Sequence, residues 1–167
     1  VAAAVLDEPA SPTARADLRP HPRAARRRRL TRAVVGGLVT CGVVAVAHAA
    51  GGGVPAGAWA VPLVVSLAAP AYALDAYRSL GHGLAGGYLV VRRGSLVRRT
   101  VALRRTGIIG WNVRRTLFQR RLGLTTVVAT TAAGRGSYPV VDVDTGAGLR
   151  FAGEAVPDLL APFLTDG

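Results

Sequence analysis

The chain of 167 residues has no methionine, one cysteine and only 5% aromatic residues, and its nine acids face 21 basic residues that are all arginine. One cysteine excludes a disulfide scaffold and any Cys pair for zinc or redox work. Scarce aromatics argue against a single-strand nucleic-acid binder, which stacks bases on flat side chains. Walker A, Gly-x-Ser-x-Gly and His-Glu-x-x-His patterns are all missing, and His21, His48 and His82 stand apart. No catalytic residue, metal ligand or cofactor is expected, and the chain reads as a non-enzyme. Asp142-x-Asp144 lacks a third ligand and reads as an exposed strand end or a helix cap. Asp75 is expected to pair with Arg78 three residues on, Trp111 to sit in a core, and Cys41 to pack as a small apolar residue. His48, at the outer end of an apolar run, is expected to be exposed.

What the chain has in excess is apolar residues, at 50%, and arginine, giving a net charge of +12. A mean hydropathy of +0.34 excludes a disordered basic tail. The two excesses are segregated. Residues 33–50 carry no charge, and at ~1.5 Å per residue they reach about 27 Å, close to the ~30 Å hydrocarbon core of a bilayer. A Gly-rich break at 51–57 leads to a second uncharged run, 58–74, with Trp59 near one end and Tyr72 and Tyr77 near the other, as in an aromatic belt. Pro62 and Pro70 are better tolerated in a span than in a water-soluble helix. These features predict a transmembrane hairpin over 30–78. The rivals are two buried helices of a soluble bundle and a signal peptide with Arg26–Arg29 ahead of Ala47-His48-Ala49. The polar stretch before the arginines and the second apolar run directly after favour the hairpin. Gly36, Gly37, Gly42, Ala45 and Ala49 would let a second helix approach closely. Arginine on both flanks and none in 51–57 places both flanks in the cytoplasm. Residues 1–29, with Pro9, Pro20 and Pro22, read as a basic linker or mobile arm.

After Leu80 the pattern changes. Gly81-His82-Gly83 and Gly86-Gly87 read as a hinge. Strands are expected over 88–93, 96–103, 107–113, 123–131 and 137–143, rich in β-branched residues and separated by turns. Pro139 marks the last of these as an edge strand or one that begins late. Val156, Leu159, Leu160, Phe163 and Leu164 then recur at helical spacing, with Asp144-Thr145 as a cap. The fold class is α+β: a helical hairpin, then a small antiparallel β-domain closed by a C-terminal helix. Residues 76–141 hold 12 arginines and no acid, ten of them in adjacent pairs.

The run Gly87–Thr100, Ile108-Ile109-Gly110-Trp111, Phe118-Gln119-Arg120-Arg121-Leu122-Gly123-Leu124-Thr125-Thr126-Val127 and Ala129–Gly134 resembles the bacterial pleckstrin-homology-like domain of YdbT- and YdbS-type membrane proteins. The resemblance implies a PH-like β-barrel or sandwich over 84–167 with a capping helix, preceded by transmembrane hairpins. It implies no catalytic site. In longer members the unit repeats, so a start at Val1 is expected to continue from an earlier module, with this one C-terminal.

The expected function is a non-catalytic integral membrane protein of the bacterial cell membrane. Its cytoplasmic PH-like domain would bind anionic lipid or protein at the inner leaflet. The candidate surface is Arg92, Arg93, Arg98, Arg99, Arg120 and Arg121. Membrane lipids are the expected partners, with a protein partner or self-association through the spans as a further one. The alternatives are an accessory subunit of a transport or export complex and, less favoured, a basic nucleic-acid-binding domain.

Overall fold

The computed structural model describes residues 11–132, 134 and 136–157. A short helix, α1 (Pro12–Arg15), opens the described chain, and α2 (Arg23–Ala49) follows Pro22 as one unbroken helix. Glycines with positive φ at Gly51 and Gly53 end it, and a 3-10 turn (Ala56–Trp59) feeds α3 (Ala60–Arg78). Both are long and apolar enough to cross a membrane, with mean hydropathies of 1.9 and 1.6 over their most apolar windows. They pack on each other as the hairpin expected, and Val34, Leu38, Val39, Val43, Val46, Leu63, Val64 and Leu67 point outward, each at least half exposed. A soluble bundle would hide such residues, and an outward apolar coat of this extent suits lipid contact. They come close at Gly37, where an added Cβ would meet Ser66 Oγ at 2.8 Å. Gly36 and Gly42 face open space, so of these three glycines only Gly37 serves the helix contact.

Two three-stranded antiparallel sheets follow. The first has the order β1 (Gly81–Ala85), β2 (Tyr88–Gly94), β3 (Arg98–Arg104), and the second β4 (Ile108–Arg114), β5 (Leu124–Thr131), β6 (Ser137–Asp144). Short α4 (Leu117–Arg121) joins β4 to β5, and α5 (Thr145–Ala155) closes the domain. Leu89, Val91, Val127, Val140 and Val143 from the facing sheets bury one core with Phe151 and Ala152 of α5, and Trp111 packs against its side. Alternation along the strands drives this, since every second side chain shares a face. β6 is an edge strand, as Pro139 required. Asp144 caps α5, its Oδ1 accepting from the Ala147 amide at 3.0 Å. At the other end Arg105 donates to the carbonyls of Glu154 and Ala155, which suits a cation at a helix C-terminus. The helical positions Leu159, Leu160, Phe163 and Leu164 lie outside the described residues.

Two expectations are corrected. Gly81–Ala85 is a strand, not a hinge: it pairs with β2 from Gly81↔Arg92 to Ala85↔Tyr88. Residues 11–29 are also no linker. The chain before α2 lies along β1, with Arg19 N–H donating to the His82 carbonyl at 2.8 Å. Gly81 and Gly83 make room for it, because a Cβ on Gly83 would meet the Asp17 carbonyl oxygen at 2.5 Å. This arm ends in buried His21 and Ala25, and residues 23–29 are the first two turns of α2. Polar composition suggested a mobile segment; close approach to two glycines and burial of its ends fix it instead.

Candidate functional site: a buried carboxylate and an arginine cleft

The arginines of the N-terminal half of α2 divide by the side of the helix they occupy. Arg28 and Arg29 turn inward onto Asp142, whose side chain is 1% exposed. Arg28 Nη1 donates to Asp142 Oδ1 at 2.6 Å, and Arg29 Nη2 to Oδ2 at 3.4 Å. The acid reaches this position through a bulge. Register shifts between Thr125 and Val127, and Asp142 takes a φ of 59°, which non-glycine residues rarely adopt. Asp142 is therefore no exposed strand end. The two cations and the fixed geometry offset the cost of burying its charge.

Gln119 completes the cluster. Its Oε1 accepts from the Thr116 amide at 2.9 Å, and the Thr116 hydroxyl accepts from the Gln119 amide at 3.2 Å, a reciprocal cap on α4. Its Nε2 donates to Asp142 Oδ1 at 2.8 Å and to Thr126 Oγ1 at 2.9 Å. One side chain thus starts α4 and ties it to the bulge. Sequence reasoning quoted Gln119 within a motif but missed its role. The signal was a single acid among the valines of Val140-Val141-Asp142-Val143, after 66 residues without one.

With α2 and α4 both fastened to Asp142, a cleft of about 830 Å³ opens between them. Arg27, Thr31 and Arg32 of α2 line it with Thr116, Arg121 and Phe118. It continues to Val35 and Gly36, in the first turns of the uncharged run. Arg27, Arg32 and Arg121 are exposed and carry no ion pair or hydrogen bond among the described residues.

The six arginines singled out in the sequence fall on three elements, β2, β3 and α4. Arg93 and Arg99 stand opposite each other on β2 and β3, with Arg92 and Arg98 close by on the other face. Arg92 Nε donates to the Ser79 carbonyl at 3.2 Å, and Arg98 pairs with Asp75 at 3.6 Å. Asp75 therefore meets Arg98 and the Ser95 hydroxyl (2.8 Å), not Arg78. Arg120 and Arg121 sit exposed at the end of α4. Only Arg121 of the six reaches the cleft.

Apolar tips flank the hairpin on both sides. The β2–β3 turn is held to the end of α3 by Ser95–Asp75 and by the Ser79 hydroxyl donating to the Gly94 carbonyl, and it exposes Leu96 at 90% and Val97 at 70%. On the α2 side, α4 exposes Leu117 at 74% and Phe118 at 72%.

A second buried cluster lies where the arm meets β1. The His21 and His82 rings meet edge to face at 5.0 Å, and His82 meets Phe151 at 4.7 Å. Burial is the main force lowering the pKa of His21 to about 3, helped by His82 and Arg29. Burial likewise lowers His82 to about 4, helped by Arg19. Both rings are neutral at pH 7, so they pack as part of the core.

A helix pair leading into two antiparallel sheets with a closing helix defines a PH-like domain on an apolar hairpin. The chain belongs to the bacterial PH domain family, whose family model matches residues 33–151, from within α2 to Phe151 of α5. No curated protein and no solved structure matches it.

Proposed function

We propose that this protein is a non-catalytic integral membrane protein that holds its PH domain flat against the anionic inner leaflet. The observation carrying this reading is the pairing of exposed apolar tips with arginine on both sides of the hairpin. Leu96 and Val97 sit beside Arg98 and Arg99, and Leu117 and Phe118 beside Arg120 and Arg121. Gly37 faces Ser66, so Arg28 lies about level with Asp75 on the antiparallel neighbour, and both tips attach near this level. That is where the uncharged runs end and headgroups would begin. Arg92 and Arg93 extend the same basic surface along β2. Each such cation near an anionic leaflet contributes about 1 kcal/mol, and arginine on both flanks supports a cytoplasmic domain.

The test uses the full chain with Cys41 replaced by Ala and one fluorophore on L96C or F118C, reconstituted into vesicles. Quenching by lipid-borne quenchers is expected in phosphatidylglycerol bilayers. It should fall severalfold when Arg98, Arg99, Arg120 and Arg121 are changed to Glu. Quenching only by aqueous agents, or indifference to charge reversal, overturns the reading.

A further inference from the structure

We infer that the cleft between α2 and α4 is a binding site for a single anionic glycerophospholipid; the inference rests on the membrane reading above. Three features converge there. First, charge: Arg27, Arg32 and Arg121 line a common space and have no acid partner among the described residues. Arg28 borders the same space, but its guanidinium is held by Asp142, so the wall is fixed while the three free cations await an anion. Guanidinium forks match phosphate oxygens, and the hydroxyls of Thr31 and Thr116 add neutral donors.

Second, polarity is ordered along the cleft. From Arg27 to Gly36 it follows α2 for nine residues, about 13 Å at ~1.5 Å each. It starts among arginines and ends at Val35 and Gly36, with Phe118 forming an apolar opposite side. Gly36 has nothing within 4 Å of where its Cβ would stand, so the floor is open where an acyl chain would leave. A phosphate with a tail fits this order, whereas a free phosphate or a polar metabolite would leave the apolar end uncovered. Third, size: at about 830 Å³ the space takes a headgroup, its glycerol and the upper part of a chain. Because Gln119 and Asp142 set the separation of the two walls, the site is built before the lipid arrives.

The test is lipid retention. The full chain, purified in mild detergent, is titrated with phosphatidylglycerol, cardiolipin or phosphatidylcholine, and bound lipids are counted by native mass spectrometry. One anionic lipid per chain is expected, held at least tenfold more tightly than phosphatidylcholine. R32A/R121A should lose that preference and F118S should weaken it, while R98A/R99A should keep it. Equal retention of the zwitterionic lipid, or full retention by R32A/R121A, overturns the cleft. Binding of inorganic phosphate with the same affinity also overturns it, because the tail then adds nothing. The surface reading fails separately: the cleft can hold its lipid in detergent while the labelled tips stay unquenched in bilayers.

Discussion

Arg28 and Arg32 lie one turn apart on one helix and meet opposite surroundings. Arg28 is drawn onto a buried carboxylate at 2.6 Å, whereas Arg32 stands exposed at the cleft with no acid partner among the described residues. Composition treats them alike, and both add to the +12. Only the fold separates arginines that hold the structure together from arginines left over for a ligand. Excess charge in the sequence therefore overstates the surface available for anions, and some of it is internal scaffolding.

The largest expected effect comes from removing the acid at the centre of the scaffold. Asp142→Ala strands two part-buried cations and the Gln119 amide, and loss of one partner of a buried pair costs about 3–5 kcal/mol. Thermal unfolding of the full chain in detergent measures it. Asp142→Gly removes the carboxylate but relieves the φ of 59°, so a smaller loss would show how much of the cost is backbone strain. Arg32→Ala in the same assay should change stability by no more than about 0.5 kcal/mol. A loss of several kcal/mol there would break the contrast.

Next is acidification. His21 and His82 stay neutral in the fold to about pH 3 and 4, while the unfolded rings protonate near 6.5. The unfolded state then binds more protons, so stability falls as pH drops below about 6.5 and the loss continues toward pH 4. The limit is about 1.4 kcal/mol per pH unit for each ring. His82→Leu should flatten that slope, and an unchanged slope would assign it to other groups. Gly83→Ala, forcing a Cβ against the Asp17 carbonyl, should loosen the arm at a cost of about 1–3 kcal/mol. Faster hydrogen exchange of the Arg19 amide, which donates to the His82 carbonyl, reports it. A smaller loss belongs to Thr116→Ala, which removes half of the cap on α4 for about 1 kcal/mol. It should nevertheless lower lipid retention in the cleft, because α4 carries one wall.

Much of the architecture was legible locally. Two uncharged runs broken by glycine and proline specify the hairpin, and β-branched alternation between glycine turns places five strands within a few residues of where they lie. Asp144 and Trp111 behave as their neighbours suggest. What the sequence hid depends on contacts between distant residues. β1 is glycine-rich and looks like a hinge until the arm lies on it. Asp142 meets its arginines across 114 and 113 residues, through a bulge that no local pattern announces. Arg121 faces the cleft, but its companions Arg27 and Arg32 sit in a segment read as topology signal and linker.

α2 runs without a break from Arg23 to Ala49, about 40 Å of rigid rod. Its first third is bolted to the β6 bulge, and the remainder is the apolar span. There is no joint between them at which motion could dissipate. On the membrane reading proposed above, a tilt imposed on the far end of the hairpin would therefore reach the sheets as leverage through Asp142.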